Sequence, residues 1–163
     1  MLRIAGITPE SIVDGSGIRF TIFAQGCKHN CPSCHNPNTH SLDGGELIAL
    51  EEIVEMIKEK GLLSGVTFSG GEPFLQAKEF AKLASLIKKL GRNLDIITYT
   101  GYLYEDLIKD NKKRVLLEAS DILIDGLFEE EKQDLKLKYR GSSNQRIINV
   151  RESLKRDEIV IVN

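Results

Sequence analysis

A chain of 163 residues, 41% hydrophobic and 28% charged, has the composition of an ordinary folded protein, which excludes a disordered polymer and a membrane-embedded one. That length suffices to bury one core and not two, so residues 1–163 are expected to form a single domain. A formal net charge of −2 gives no electrostatic reason to expect nucleic acid or an anionic membrane as a partner.

Met1–Ile7 lacks an apolar core followed by a small-residue cleavage site, and no later run approaches membrane-spanning length, so the expected location is the cytoplasm. Glycines at 15 and 17 permit a tight turn, and Ile18–Gln25, rich in β-branched and aromatic residues, reads as a strand that delivers the chain to Cys27. From about 26 to 45 the composition turns to Cys, Pro, Asn, His and Gly. This predicts an irregular loop that needs a ligand to order it and is disordered without metal.

A helix follows over roughly Leu50–Lys60, with Leu50, Ile53, Val54 and Ile57 on one face. Gly65–Phe68 reads as a strand running into Ser69-Gly70-Gly71-Glu72-Pro73, and a second helix, about Gln76–Leu90, repeats apolar residues at Phe80, Leu83, Ile87 and Leu90. Strands at Asp95–Thr100 and Asp121–Asp125 flank a short helix near Tyr104–Lys109, and Glu158–Val162 reads as a final strand. Strands alternating with helices imply a mainly parallel sheet, and the chain is too short for eight β/α units. The expected α/β fold is therefore a partial, open β/α barrel. In such sheets ligands sit beyond the carboxyl ends of the strands, where the cysteine loop, the Gly-Gly-Glu turn, Thr100 and Asp125 would gather.

All three cysteines stand in Cys27-Lys28-His29-Asn30-Cys31-Pro32-Ser33-Cys34. Three thiolates in a CxxxCxxC spacing can ligate three irons of a four-iron cluster and leave the fourth open to a substrate. Spacing alone equally allows a Cys3His zinc site completed by His29, His35 or His40. The glycines of Gly70-Gly71 let backbone approach a ligand, although a strand-to-helix turn explains them as well. Arg140-Gly141-Ser142-Ser143-Asn144-Gln145-Arg146 otherwise reads as a polar surface loop.

Taken together, Asp14–Phe20, the cysteines with Cys34-His35-Asn36-Pro37, Ser69–Pro73 and the block 140–146 resemble the glycyl-radical activating enzymes of the radical S-adenosylmethionine superfamily. The short chain and the last block are similar to activators of anaerobic, class III ribonucleoside-triphosphate reductase; activation of pyruvate formate-lyase or another glycyl-radical enzyme is the alternative within the superfamily. From another class, the alternative is a non-catalytic zinc or iron-sulfur module.

The resemblance implies a 4Fe-4S cluster on Cys27, Cys31 and Cys34 with S-adenosyl-L-methionine as co-substrate. It also implies the reductase as partner and a low-potential electron donor such as flavodoxin or ferredoxin. Glu72 is expected to accept from the methionine ammonium, with Gly70 and Gly71 beside it, and His35 to lie next to the nucleoside. Ser33 stands where many relatives have an aromatic residue against adenine. Asp125 is expected near ribose or methionine, and since Leu127 replaces a lysine found in pyruvate formate-lyase activators, Arg140 or Arg146 is expected to take the methionine carboxylate.

Overall fold

The computed structural model describes residues 1–163. Its strands are β1 (Leu2–Ser11), β2 (Arg19–Ala24), β3 (Glu46–Ile48), β4 (Gly65–Gly70), β5 (Asp95–Tyr99), β6 (Ile122–Asp125) and β7 (Arg146–Asn149). Helices α1 (Leu50–Lys58), α2 (Ala77–Lys88), α3 (Tyr104–Leu107), α4 (Asn111–Ala119) and α5 (Val150–Arg156) are interspersed. All seven strands form one sheet in the order β3-β1-β2-β4-β5-β6-β7. Its centre, β2-β4-β5-β6, is parallel, and antiparallel β1, β3 and β7 finish the two sides. β3 and β7 do not meet, so the sheet is an open, partial β/α barrel.

Alternation along the strands divides the sheet into two faces. Phe20, Ile22 and Ala24 of β2, Val66 and Phe68 of β4, Ile96 of β5 and Leu123 of β6 join Ile53 and Ile57 of α1, Phe80, Leu83 and Ile87 of α2 and Leu116 and Leu117 of α4 in one cluster of 27 buried residues. The helices thus cover the face to which these side chains point. Ile97 and Ile124 are equally buried but stand outside that cluster, on the opposite face. The turn after β1 lies there, since Thr67 Oγ1 donates to the Asp14 carbonyl (2.9 Å) and a Cβ on Gly15, whose φ is 135°, would stand 2.5 Å from Ile97 Cδ1.

Arg19 fixes this turn from inside. It is fully buried, its Nε donates to Thr67 Oγ1 (2.7 Å), and its Nη atoms donate to the carbonyls of Ser16, Val66 and Asp95. A guanidinium taken out of water is tolerable only when its donors and charge are met; the carbonyls meet the donors, and the Asp95 carboxylate lies 2.6 Å from Nη2.

Three departures from the sequence expectations have physical causes. Glu158–Val162 is not a strand; Ile161 makes a single bridge to Ile148, because the segment lies along the outer edge of β7 with Ile161 and Val162 exposed, and strand propensity without packing is not enough. The strand beside it is β7, which begins at Arg146 in the block expected as a surface loop. Helix α4 was hidden by Lys112-Lys113-Arg114; it is capped by Asp110, whose carboxylate accepts from the Lys112 and Lys113 amides, and buries only Leu116 and Leu117.

Candidate functional site

The carboxyl ends of the four parallel strands open onto a cavity of about 400 Å³. Cys27, Cys31, Cys34, His35, Gly70 and Gly71 lie on its wall, brought there by the loop after β2 and the turn after β4. Ser33, Glu72 and Asp125 do not. No helix is long and apolar enough to cross a membrane.

The cysteine loop is tied down at its ends. Gln25 is buried and its side-chain amide donates to the carbonyls of Asn38 (3.2 Å) and Ser41 (2.7 Å), while the Gly26 and Cys27 amides donate to the carbonyls of Thr39 and His40. The arc between these ties carries the thiols, all free and half-buried. Burial pushes the Cys27 and Cys31 thiols up, and negative charge adds to it, from Glu72 and Cys31 at Cys27 and from Cys34 at Cys31. Three soft donors on one wall are the residue type that an iron-sulfur cluster takes, and cationic irons would offset the cost that burial puts on ionising Cys27 and Cys31.

Gly70 and Gly71 are required by the sheet itself. Gly70 has φ 88°, and a Cβ there would stand 2.7 Å from Ala24 N; on Gly71 it would stand 2.4 Å from the Gly26 carbonyl oxygen. The Gly71 and Glu72 amides donate to Ala24 O and Gly26 O, both at 2.8 Å. The turn is therefore stitched directly to the start of the cysteine loop, and no larger residue fits the seam.

Both carboxylates expected to contact cofactor are buried and already engaged. Glu72, 1% exposed, accepts from the Phe74 amide (3.0 Å), the Thr100 hydroxyl (2.9 Å), the Gly101 amide (2.9 Å) and His29 Nε2 (2.6 Å). Asp125, fully buried, accepts from the Tyr104 amide (2.8 Å) and from Arg146 through Nε (3.0 Å) and Nη2 (2.5 Å). Arg146 also holds Glu105 at 3.0 and 2.8 Å; its charge stays fixed well above the ordinary guanidinium range by these two carboxylates, and it pulls the Glu105 carboxyl down. Thr100, expected with both carboxylates at the strand ends, donates to Glu72.

Of the two arginines, Arg140 lines the cavity and Arg146 does not. Arg140 Nη1 donates to the Gln145 carbonyl (2.8 Å), and its Nε is buried without a partner. The block that holds them closes a hairpin between β6 and β7: Gln133 bridges Ser142, the Ser143 amide donates to Lys132 O (2.9 Å), and Gln145 Oε1 accepts from the Gly141 and Ser142 amides. Phe128, at the base of this hairpin, packs against His35 with ring centroids 4.9 Å apart. Ser33 is exposed, with a left-handed backbone (φ 57°).

Sequence reasoning missed the hairpin wall, because its charged run conceals Phe128, Leu137 and Tyr139. It also missed Tyr99, at the end of β5, whose phenol burial pushes up well beyond its ordinary range with the charge of Asp14 adding to the effect. The aromatic at a strand's carboxyl end was the available signal.

A family model described as a 4Fe-4S single cluster domain matches residues 13–148. The chain is 34% identical over 143 residues to the anaerobic ribonucleoside-triphosphate reductase-activating protein of Haemophilus influenzae, covering 84% of this chain and 91% of that protein. It is 34% identical over 145 residues to the protein of the same name from Enterobacteria phage T4, covering 86% and 90%. With that of Escherichia coli K12 it shares 32% identity over 149 residues, covering 88% and 96%.

Proposed function

The chain belongs to the family of anaerobic ribonucleoside-triphosphate reductase-activating proteins, and from that premise we propose that it activates such a reductase by generating a glycyl radical on it. The observation that carries this reading is the convergence of three free thiols with the Gly70-Gly71 turn on one cavity at the carboxyl ends of the parallel strands. Cys27, Cys31 and Cys34 hold the 4Fe-4S cluster. When bound, the cluster supplies the electron for cleavage of S-adenosylmethionine to methionine and a 5′-deoxyadenosyl radical, which takes a hydrogen atom from a glycine of the reductase.

The chain's own residues bind and orient. The backbone at Gly70 and Gly71 offers polar groups beside the thiols, and Arg140, which lines the cavity and whose buried Nε has no partner, receives the methionine carboxylate. Arg146 is set aside from that role by its two carboxylates. Ser33 and His35 flank the third thiol on the nucleoside side, and Asp125 acts at one remove by holding Arg146 and the start of α3. A low-potential donor such as flavodoxin or ferredoxin supplies the electron, in the cytoplasm, to a single-domain protein.

The test is 5′-deoxyadenosine, quantified after anaerobic incubation of the reconstituted protein with S-adenosylmethionine and dithionite, with and without the reductase. Cys31→Ala is the control. Product that needs Cys31 and rises with reductase is the expected result; none from cluster-loaded protein overturns the proposal.

A further inference from the structure

His29 lies midway between Cys27 and Cys31, where the spacing requires no ligand. Its ring is turned inward: Nε2 is 2.6 Å from Glu72 Oε2, only 15% of the side chain is exposed, and the ring stands edge-on to Tyr102 with centroids 4.6 Å apart. The fit is close, because a Cβ on Gly101 would lie 2.6 Å from His29 Cδ2. Between Lys28 and His35 the loop makes one hydrogen bond to the rest of the fold, that from His29 to Glu72.

Glu72 collects its other donors from elsewhere. Phe74 belongs to the turn after β4, and Thr100 and Gly101 to the turn after β5. A carboxylate has about four acceptor sites, and four donor groups converge on this one. Three segments that share no strand pairing at this point are thus joined at a single buried side chain, and His29 is the contribution of the cysteine loop.

We propose that His29 is a positioning residue, with Glu72 as its buried anchor, that fixes the arc between Cys27 and Cys31 against the strand-end turns. The proposal rests on the reading that these cysteines hold the cluster. It gives Glu72 a structural duty in place of a contact with the methionine ammonium. The clamp sets how the thiols face Gly70 and Gly71, and hence how a co-substrate on that wall meets the cluster.

The experiment compares wild type, His29→Ala and His29→Gln, the last keeping a side-chain N–H, each reconstituted anaerobically and checked for iron and sulfide per chain. Two quantities are read: trypsin cleavage after Lys28 in the cluster-loaded protein, and the S-adenosylmethionine concentration needed to change the electron paramagnetic resonance spectrum of the reduced cluster. Loss of a hydrogen bond to a charged group corresponds to roughly tenfold or more. His29→Ala is therefore expected to load a cluster, to be cut about tenfold faster and to need about tenfold more S-adenosylmethionine, and His29→Gln to recover most of both.

Wild-type cleavage and wild-type spectral response in His29→Ala overturn the clamp, as does equal loss of iron from both variants, which marks His29 as a ligand. A wild-type cluster that ignores S-adenosylmethionine overturns the functional reading, while the cleavage rates still decide the clamp.

Discussion

Asp125 and Arg146 stand opposite each other in the register of β6 and β7, and the guanidinium reaches both carboxylate oxygens, Nε to Oδ1 at 3.0 Å and Nη2 to Oδ2 at 2.5 Å. An antiparallel pairing at one edge of the sheet thereby places a cation against a fully buried anion. Removing the cation leaves the anion stranded. Arg146→Ala is expected to cost about 3 kcal/mol, the low end for breaking a buried pair, because the Tyr104 amide still serves Asp125. Urea unfolding measures it; a loss below about 1 kcal/mol contradicts the account.

Arg140 should behave in the opposite way. Arg140→Ala leaves unfolding within about 1 kcal/mol of wild type, since its one bond is to the Gln145 carbonyl. Its affinity for S-adenosylmethionine, measured by calorimetry on the reconstituted protein, should fall roughly tenfold or more. Unchanged affinity would remove Arg140 from the carboxylate site.

Gly71→Ala sets a methyl 2.4 Å from the Gly26 carbonyl oxygen, at the seam between the turn and the cysteine loop. Overpacking of this kind costs about 1–3 kcal/mol, and the strain falls where the chain runs from β2 to Cys27. Stability and iron per chain after reconstitution should both drop. Gly61→Ala, with no atom near its Cβ, is the control expected to change neither.

Phe68 of β4 and Phe80 of α2 are fully buried with ring centroids 4.7 Å apart. Either alanine substitution is expected to cost about 3–5 kcal/mol. A double-mutant cycle should return a coupling of about 0.5–1.5 kcal/mol for the ring pair, and additive losses would place the rings out of contact.

Stripping the metal tests the loop. Its ends are bonded through Gln25, Thr39 and His40, so cleavage of apoprotein should be confined to 28–36 and be suppressed by reconstitution. Equal resistance of both forms would show that the arc is ordered without its cluster.

The covered face of the sheet was legible in the sequence. Leu50, Ile53, Val54 and Ile57 are the residues α1 buries, and Phe80, Leu83 and Ile87 are buried by α2 together with Ala77 and Ala84, because each helix presents an apolar stripe; Leu90 lies beyond the end of α2 and is only partly buried. β1 was not legible, since it buries only Leu2, Ile4 and Ser11 and its register with β2 shifts twice. In the site, residue type and spacing singled out the three thiols and the glycine pair, which the structure brings to one cavity wall. Chemistry that resides in who faces whom could not be read that way. Glu72 and Asp125 were expected at the ligand, and whether a carboxylate is free or engaged depends on donors such as Thr100 and Arg146, which arrive from other strands.

The open edge between β3 and β7 bears on how a reactive site of this kind is kept safe. A closed barrel fences its interior with its own strands, whereas here the fence stops short and the chain supplies only part of an enclosure. On the proposed reading, the remaining part belongs to the docked reductase, so that shelter from solvent and arrival of the target glycine are one event. On the same reading, an unshielded mouth leaves the site wet until docking, and a wet site is poorly prepared to react.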